Sequence, residues 1–174
     1  MAGLGTAQVN ALSSTQLAAM TTAQLGQFST AQLGGISSAA IKGMTTAQVV
    51  ALATAQMSGL TTAQIRSLST VQLAAMETAD LAVLSTAQIQ AFDTAQVSGL
   101  STGQMVALTT GQVVALTTSQ MAGLRTTHIA VLNTAQVAAM ETQDIAALST
   151  TQTAAFSSTQ IAAMSTAQLN ALFL

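Results

Sequence analysis

Apolar positions recur along this chain at alternating spacings of three and five, so that the pattern repeats every eight residues. From Gly5 to Leu172 it runs through 21 consecutive octads without insertion or deletion. Counted from Gly5, the fifth position is apolar in every octad but the one holding Thr153, and the eighth is apolar throughout, from Leu12 to Leu172. The first four positions are Ser or Thr, Thr, Ala and Gln; the sixth varies, and the seventh is mostly Ala or Gly. The Gln is present in seventeen octads, its exceptions being Ala40, Asp80, His128 and Asp144.

Ser or Thr followed three residues later by Gln is a capping box, in which each side chain satisfies a backbone N–H that the first helical turn leaves unpaired. Ser165-Thr166-Ala167-Gln168 has this form. A residue before the N-cap commonly packs on the fourth helical residue as a hydrophobic staple, and Met164 with Leu169 would make such a pair. Each octad therefore encodes a helix start. One continuous helix does not fit, because eight residues at about 100° each would turn the apolar pair by about 80° per octad and bury no fixed face. A β-solenoid is the alternative, but spacings of three and five do not keep to one strand face, and Ala, Gln, Leu and Met favour helix.

The pattern predicts an all-α solenoid with one helix of about 1.5 to 2 turns per octad, ended by a sharp bend where a small seventh residue lets backbones approach. Helices this short are unstable alone, so they must stack on neighbouring coils. The expected organisation is a lead-in at 1–4, a single solenoid over 5–172 and an end at 173–174. Gln and Thr at constant phase could form ladders between coils, represented by Gln8, Gln16, Gln24, Gln88 and Gln136 and by Thr22, Thr86 and Thr134. Capping alone does not require Gln so consistently, since Glu would serve. A longer period overlies the octad: Phe28, Phe92 and Phe156 lie 64 residues apart, as do Glu77-Thr78-Ala79-Asp80 and Glu141-Thr142-Gln143-Asp144. This suggests a block duplication and a whole number of superhelical turns.

Composition narrows the chemistry. Half of the 174 residues are apolar, yet 5% are charged, and Pro, Cys, Trp and Tyr are absent. There is no disulfide framework and no thiol chemistry. Three basic residues against five acidic ones cannot neutralise a row of phosphates, so nucleic acid is not an expected partner. The recurrent Thr and Gln break every apolar run well short of the ~18 residues a spanning helix needs, so no transmembrane segment is expected.

No catalytic residues, cofactor or metal are expected. His128 stands alone at a Gln position, whereas a metal site needs several convergent ligands, and no oriented triad is suggested around it. Glu77 with Asp80 and Glu141 with Asp144 are candidates for a weak cation site, although two carboxylates in a first helical turn also suit the helix dipole. Lys42 and Arg66 at the sixth position and Arg125 at an N-cap read as isolated solubilising charges. Thr153 would bond back within its own helix.

Leu84-Ser85-Thr86-Ala87-Gln88-Ile89 resembles the octad tracts of large bacterial proteins, some of them secreted or surface-attached. The resemblance spans essentially the whole chain and implies a bacterial origin and an extracellular or cell-surface setting. Leu108-Thr109-Thr110-Gly111-Gln112-Val113-Val114-Ala115-Leu116 is also similar to the helix start of DNA-reading helical repeats, whose unit is longer and basic; the likeness reflects shared capping physics. The expected function is a non-enzymatic scaffold or spacer. Its expected partners are a second copy joined end to end into a filament, or neighbouring repeats of a longer chain, because the ending Asn170-Ala171-Leu172-Phe173-Leu174 lacks the polar cap usual in solenoids. The alternative is a surface-binding protein that meets ice or a regular glycan through ranks of Thr.

Overall fold

A computed structural model of the chain describes residues 5–173. The expected lead-in at 1–4 and the final Leu174 lie outside the described residues. Within them the chain forms 21 helices, one for each octad, and no strand, so the β-solenoid alternative does not hold. The first seven are α1 (Thr6–Asn10), α2 (Ser14–Ala18), α3 (Thr22–Leu25), α4 (Thr30–Gly34), α5 (Ser38–Ile41), α6 (Thr46–Val50) and α7 (Thr54–Ser58). Next come α8 (Thr62–Ser67), α9 (Thr70–Ala74), α10 (Thr78–Ala82), α11 (Thr86–Gln90), α12 (Thr94–Gly99), α13 (Thr102–Ala107) and α14 (Thr110–Val114). The last are α15 (Thr118–Met121), α16 (Thr126–Val131), α17 (Thr134–Ala139), α18 (Thr142–Ala146), α19 (Thr150–Thr153), α20 (Ser158–Ala162) and α21 (Thr166–Phe173).

Each helix starts one residue after the first octad position, which is the N-cap and is extended, as at Ser101 with φ −77° and ψ 160°. Ser101 Oγ accepts from the Gln104 N–H at 3.1 Å while Gln104 Oε1 accepts from the Ser101 N–H at 2.9 Å. A cap of this kind contributes about 1 kcal/mol. Most helices hold only four to six residues, a little less than the spacing predicts.

The corner is made without a left-handed residue. Ala115 at a seventh position is still helical, with φ −77° and ψ −13°, while Leu108 at an eighth position has φ −60° and ψ 132°. The chain thus turns through two extended residues, the eighth of one octad and the first of the next, and φ is positive at no described residue. Many helices end on a left-handed residue whose motif satisfies their last carbonyls. Here the eighth-position N–H bonds back to the fifth-position carbonyl, as Leu116 does to Val113 at 3.2 Å, and the eighth-position carbonyl is left to find a donor elsewhere.

Helices three apart in sequence pack together, α1 on α4 and α2 on α5 through to α18 on α21. The fifth and eighth side chains form one continuous core from Val9 to Leu172. Ile89 and Phe92 are both buried in it. Hydrogen bonds between coils reach one octad further, as from Gln104 Nε2 to the Met76 carbonyl 28 residues earlier. A superhelical turn therefore takes more than three octads and fewer than four, so each helix rests across two below it. Eight octads exceed two turns and fall short of three, and the 64-residue period does not close on whole turns. That period marks the block duplication alone.

The small seventh residue also acts differently from expectation. A Cβ built on Gly59 would come within 2.8 Å of Thr30 Cβ, and one on Gly123 within 2.7 Å of Thr94 Cγ2. The close approach is between coils, from the seventh position of one octad to the second position three octads earlier. It is not at the bend.

Candidate functional site

The polar chemistry of the molecule is concentrated at the fourth octad position. From Gln48 onward its side chain is buried, whether Gln, Asp or His. The Gln amide bridges two coils. Its Oε1 accepts from the N-cap N–H of its own helix, as Gln64 does from Thr61 at 2.7 Å. Its Nε2 donates to carbonyls at the end of the helix four octads earlier, Leu33 and Ile36, both at 2.7 Å. The same register recurs from Gln48 on Leu17 and Met20 to Gln168 on Val137 and Met140. The eighth-position carbonyl has no backbone donor at the corner, whereas the fifth-position carbonyl also accepts from the eighth-position N–H, as Leu33 does from Ile36 at 3.1 Å. Glu could fill the first role but has no N–H for the second, which is why Gln is retained.

The ladder residues named from the sequence fall into two groups. Gln88 and Gln136 bridge coils, to Leu60 at 2.6 Å and to Leu108 at 2.7 Å. Gln8, Gln16 and Gln24 are exposed and accept from their own N-caps through Oε1. Thr22, Thr86 and Thr134 are exposed and form no hydrogen-bonded ladder among the described residues. Repetition marked both positions equally; only the burial pattern separates them.

His128 occupies the bridge position of α16 and keeps its bonding. The Arg125 N–H donates to Nδ1 at 3.2 Å, and Nε2 lies 2.9 Å from the Leu100 carbonyl and 3.1 Å from Arg125 Nε, which donates to it. The ring thus spans the two ends that the amide bridges elsewhere. Burial holds its pKa below the ordinary value, the Arg125 charge adds to that effect, and the bond to Leu100 opposes it. Arg125 is more than a solubilising charge, since its Nη2 donates to the same Leu100 carbonyl at 2.6 Å. Nothing in the sequence places residues 25 apart together, so this contact was not foreseeable. Lys42 and Arg66 are exposed. Thr153 Oγ1 donates to the Thr150 carbonyl at 3.0 Å, a bond back within α19.

Asp80 and Asp144 are buried at the same position. Both carboxylate oxygens of Asp144 are buried without a hydrogen-bond partner. Desolvation raises its pKa, and the charge of Glu141 adds to the rise. Glu77 and Glu141, the N-caps of these helices, make no side-chain cap. Among the described residues no group of three or more His, Cys, Asp or Glu side chains converges. Shallow grooves run between coils, one of about 680 Å³ lined by Leu124, Arg125 and Gln152 among others. No helix among the described residues is long and apolar enough to cross a membrane.

A coil of one short helix per octad, fastened by a side-chain amide across each turn, defines a helical repeat solenoid. The profile of the ALTTAQ repeat matches residues 1–30, 26–62, 73–110 and 137–173, most of the chain, which belongs to that repeat family. The six residues of the motif straddle the corner, as in Gly59-Leu60-Thr61-Thr62-Ala63-Gln64, and end on the bridging Gln. No curated protein matches the chain.

Proposed function

We propose that this chain is a non-enzymatic structural scaffold or spacer of a surface or extracellular assembly, able to join copies of itself end to end. The observation that carries this reading is the amide bridge. Each buried Gln side chain is committed to holding one coil on the next, as Gln120 does between Phe92 and its own N-cap. The single imidazole is committed in the same way. What remains outside is chiefly Thr, Ala and a few charges, a surface suited to spacing rather than to chemistry.

End-to-end joining draws on the same bond. In the first coil the Nε2 groups of Gln8, Gln16 and Gln24 have no acceptor among the described residues, although Oε1 of each is bonded. In the last coil the Leu148, Phe156 and Met164 carbonyls occupy the register that receives a Gln elsewhere, and Phe173 is 73% exposed. Matching the two faces gives a head-to-tail contact that does not close, and hence a filament. Neighbouring repeats of a longer chain would use the same bonds. The resemblance to secreted and surface-attached bacterial octad proteins supports the extracellular setting.

Sedimentation velocity across a concentration range, with electron microscopy of the same samples, tests the assembly. Rods of constant width that lengthen with concentration are expected, and Gln16→Ala with Gln24→Ala should shorten them. A monomer at every concentration would refute self-association. A second reading, binding to ice or a regular glycan, is favoured by the exposure of the second-position Thr residues. Across the coil, however, Thr30 faces Gly59 and Thr70 faces Gly99, so Thr does not stack on Thr. Thermal hysteresis in a solution of the full chain would establish the ice version; its absence would remove it.

A further inference from the structure

Two octads place Asp where the bridging Gln belongs, and both carry Glu at the N-cap: Glu77 with Asp80, and Glu141 with Asp144. The Asp144 side chain is 1% exposed and neither of its oxygens has a partner. A role confined to the first turn of its own helix would bond that carboxylate to the Glu141 N–H, and it does not. The register of the flanking bridges identifies what the side chain faces instead. Gln136 meets Met105 and Leu108, and Gln152 meets Met121 and Leu124. The equivalent carbonyls for Asp144 are Val113 and Leu116, and for Asp80 they are Val49 and Leu52. Leu116, Glu141, Gln143 and Asp144 line one cavity of about 320 Å³.

In every Gln octad from Gln48 onward an N–H occupies the space in front of the equivalent carbonyls, as at Gln136 and Gln152. In the two Asp octads the side chain is one methylene shorter and ends in oxygens only. The space is then bounded by backbone carbonyls and an Asp carboxylate, with Glu141 at its edge held by a 2.6 Å bond from Gln143 Nε2. Oxygen donors without any nitrogen or sulfur are the set that hard cations take, six to eight at about 2.3–2.6 Å for calcium.

We propose that Asp144 with Glu141 and the Leu116 carbonyl holds a hard divalent cation that replaces the amide bridge between coils. The cation supplies the positive partner that Gln Nε2 supplies elsewhere, and water entering from the groove completes its shell. It also removes the penalty of burying Asp144 as an anion, which the raised pKa records. Asp80 shares the position and the burial, but its octad has Ala79 where Gln143 holds Glu141.

The test is calcium titration of the full chain at neutral pH by calorimetry, with thermal unfolding in calcium and in chelator. One ion per chain and a higher Tm in calcium are expected. Asp144→Gln should bind none, with a Tm in chelator at or above that of the unsubstituted chain because the bridge is restored. Amide exchange in α18 should slow on adding calcium. The inference is overturned if calcium neither binds nor shifts Tm, if binding survives Asp144→Gln, or if Tm in chelator follows only the protonation of Asp144 and calcium adds nothing.

Discussion

At the scale of the residue, the decisive group is the second half of a glutamine. Gln104 is buried, with Nε2 on the Leu73 and Met76 carbonyls at 2.8 and 2.9 Å. Gln104→Glu keeps the N-cap acceptor but turns a carboxylate toward those carbonyls, and should cost about 2–4 kcal/mol in urea unfolding. Gln16→Glu is the control, because Gln16 is exposed and bonds only its own N-cap; a change within about 0.5 kcal/mol is expected. Equal losses at the two positions would mean that capping, not bridging, is what Gln provides. The capping half was legible in the sequence because its partner lies three residues away. The bridging half was not, since its partner lies 28 to 31 residues away at a distance fixed by how sharply each corner turns. The one trace of it in the sequence was the preference for Gln where Glu would cap equally well. His128 adds a prediction with a pH sign. Its pKa is lowered in the fold, so the stability it contributes is full above the unfolded value of about 6.5 and is lost as pH falls through the folded value. Unfolding curves between neutral and mildly acidic pH should show this loss, and His128→Gln should abolish it. Asp144, whose pKa is raised, has the opposite sign: metal-free stability falls as pH rises through its folded value.

At the scale of the element, helices of four to six residues persist because both ends are closed by side chains, the N-terminus by its own octad and the C-terminus by the octad four later. The helix start, its staple and the buried fifth and eighth positions were all readable from periodicity, since each is a local relation. The role of the seventh position was not, because periodicity shows that a residue is small without showing what it faces. Gly123 faces Thr94, and an added Cβ would lie 2.7 Å from both its Cγ2 and its carbonyl oxygen. Gly111 lies inside α14 with nothing within 4 Å. Gly123→Ala should therefore destabilise by about 1–2 kcal/mol through overpacking, while Gly111→Ala should stabilise by about 0.5–1 kcal/mol through helix propensity. Thermal unfolding of the two variants checks the contrast. A gain at both sites would show that coils separate easily and that the interface with Thr94 is soft.

At the scale of the whole molecule, stability is a chain of nearest-neighbour terms, and the bridges assign those terms unequally along the coil. Helices such as α13 both give and receive an amide, through Gln104 to Met76 and from Gln136 to Leu108. At α10 the helix receives from Gln112, while the buried Asp80 brings no N–H. The α14 carbonyls face Asp144 instead of an amide, and α18, which carries Asp144, receives no amide from an octad four later among the described residues. Opening free energies differ between regions according to such local support. Native-state hydrogen exchange in chelator should accordingly show the highest protection in α7 to α9, α11 to α13 and α15 to α17, lower protection at α6, α10 and α14, and the least in α18 and the terminal coils. Peptides resolved by mass spectrometry at the level of single octads would report this profile. Uniform protection along the coil would mean that the aliphatic core alone sets the stability and that the amide bridges only fix the register in which it packs.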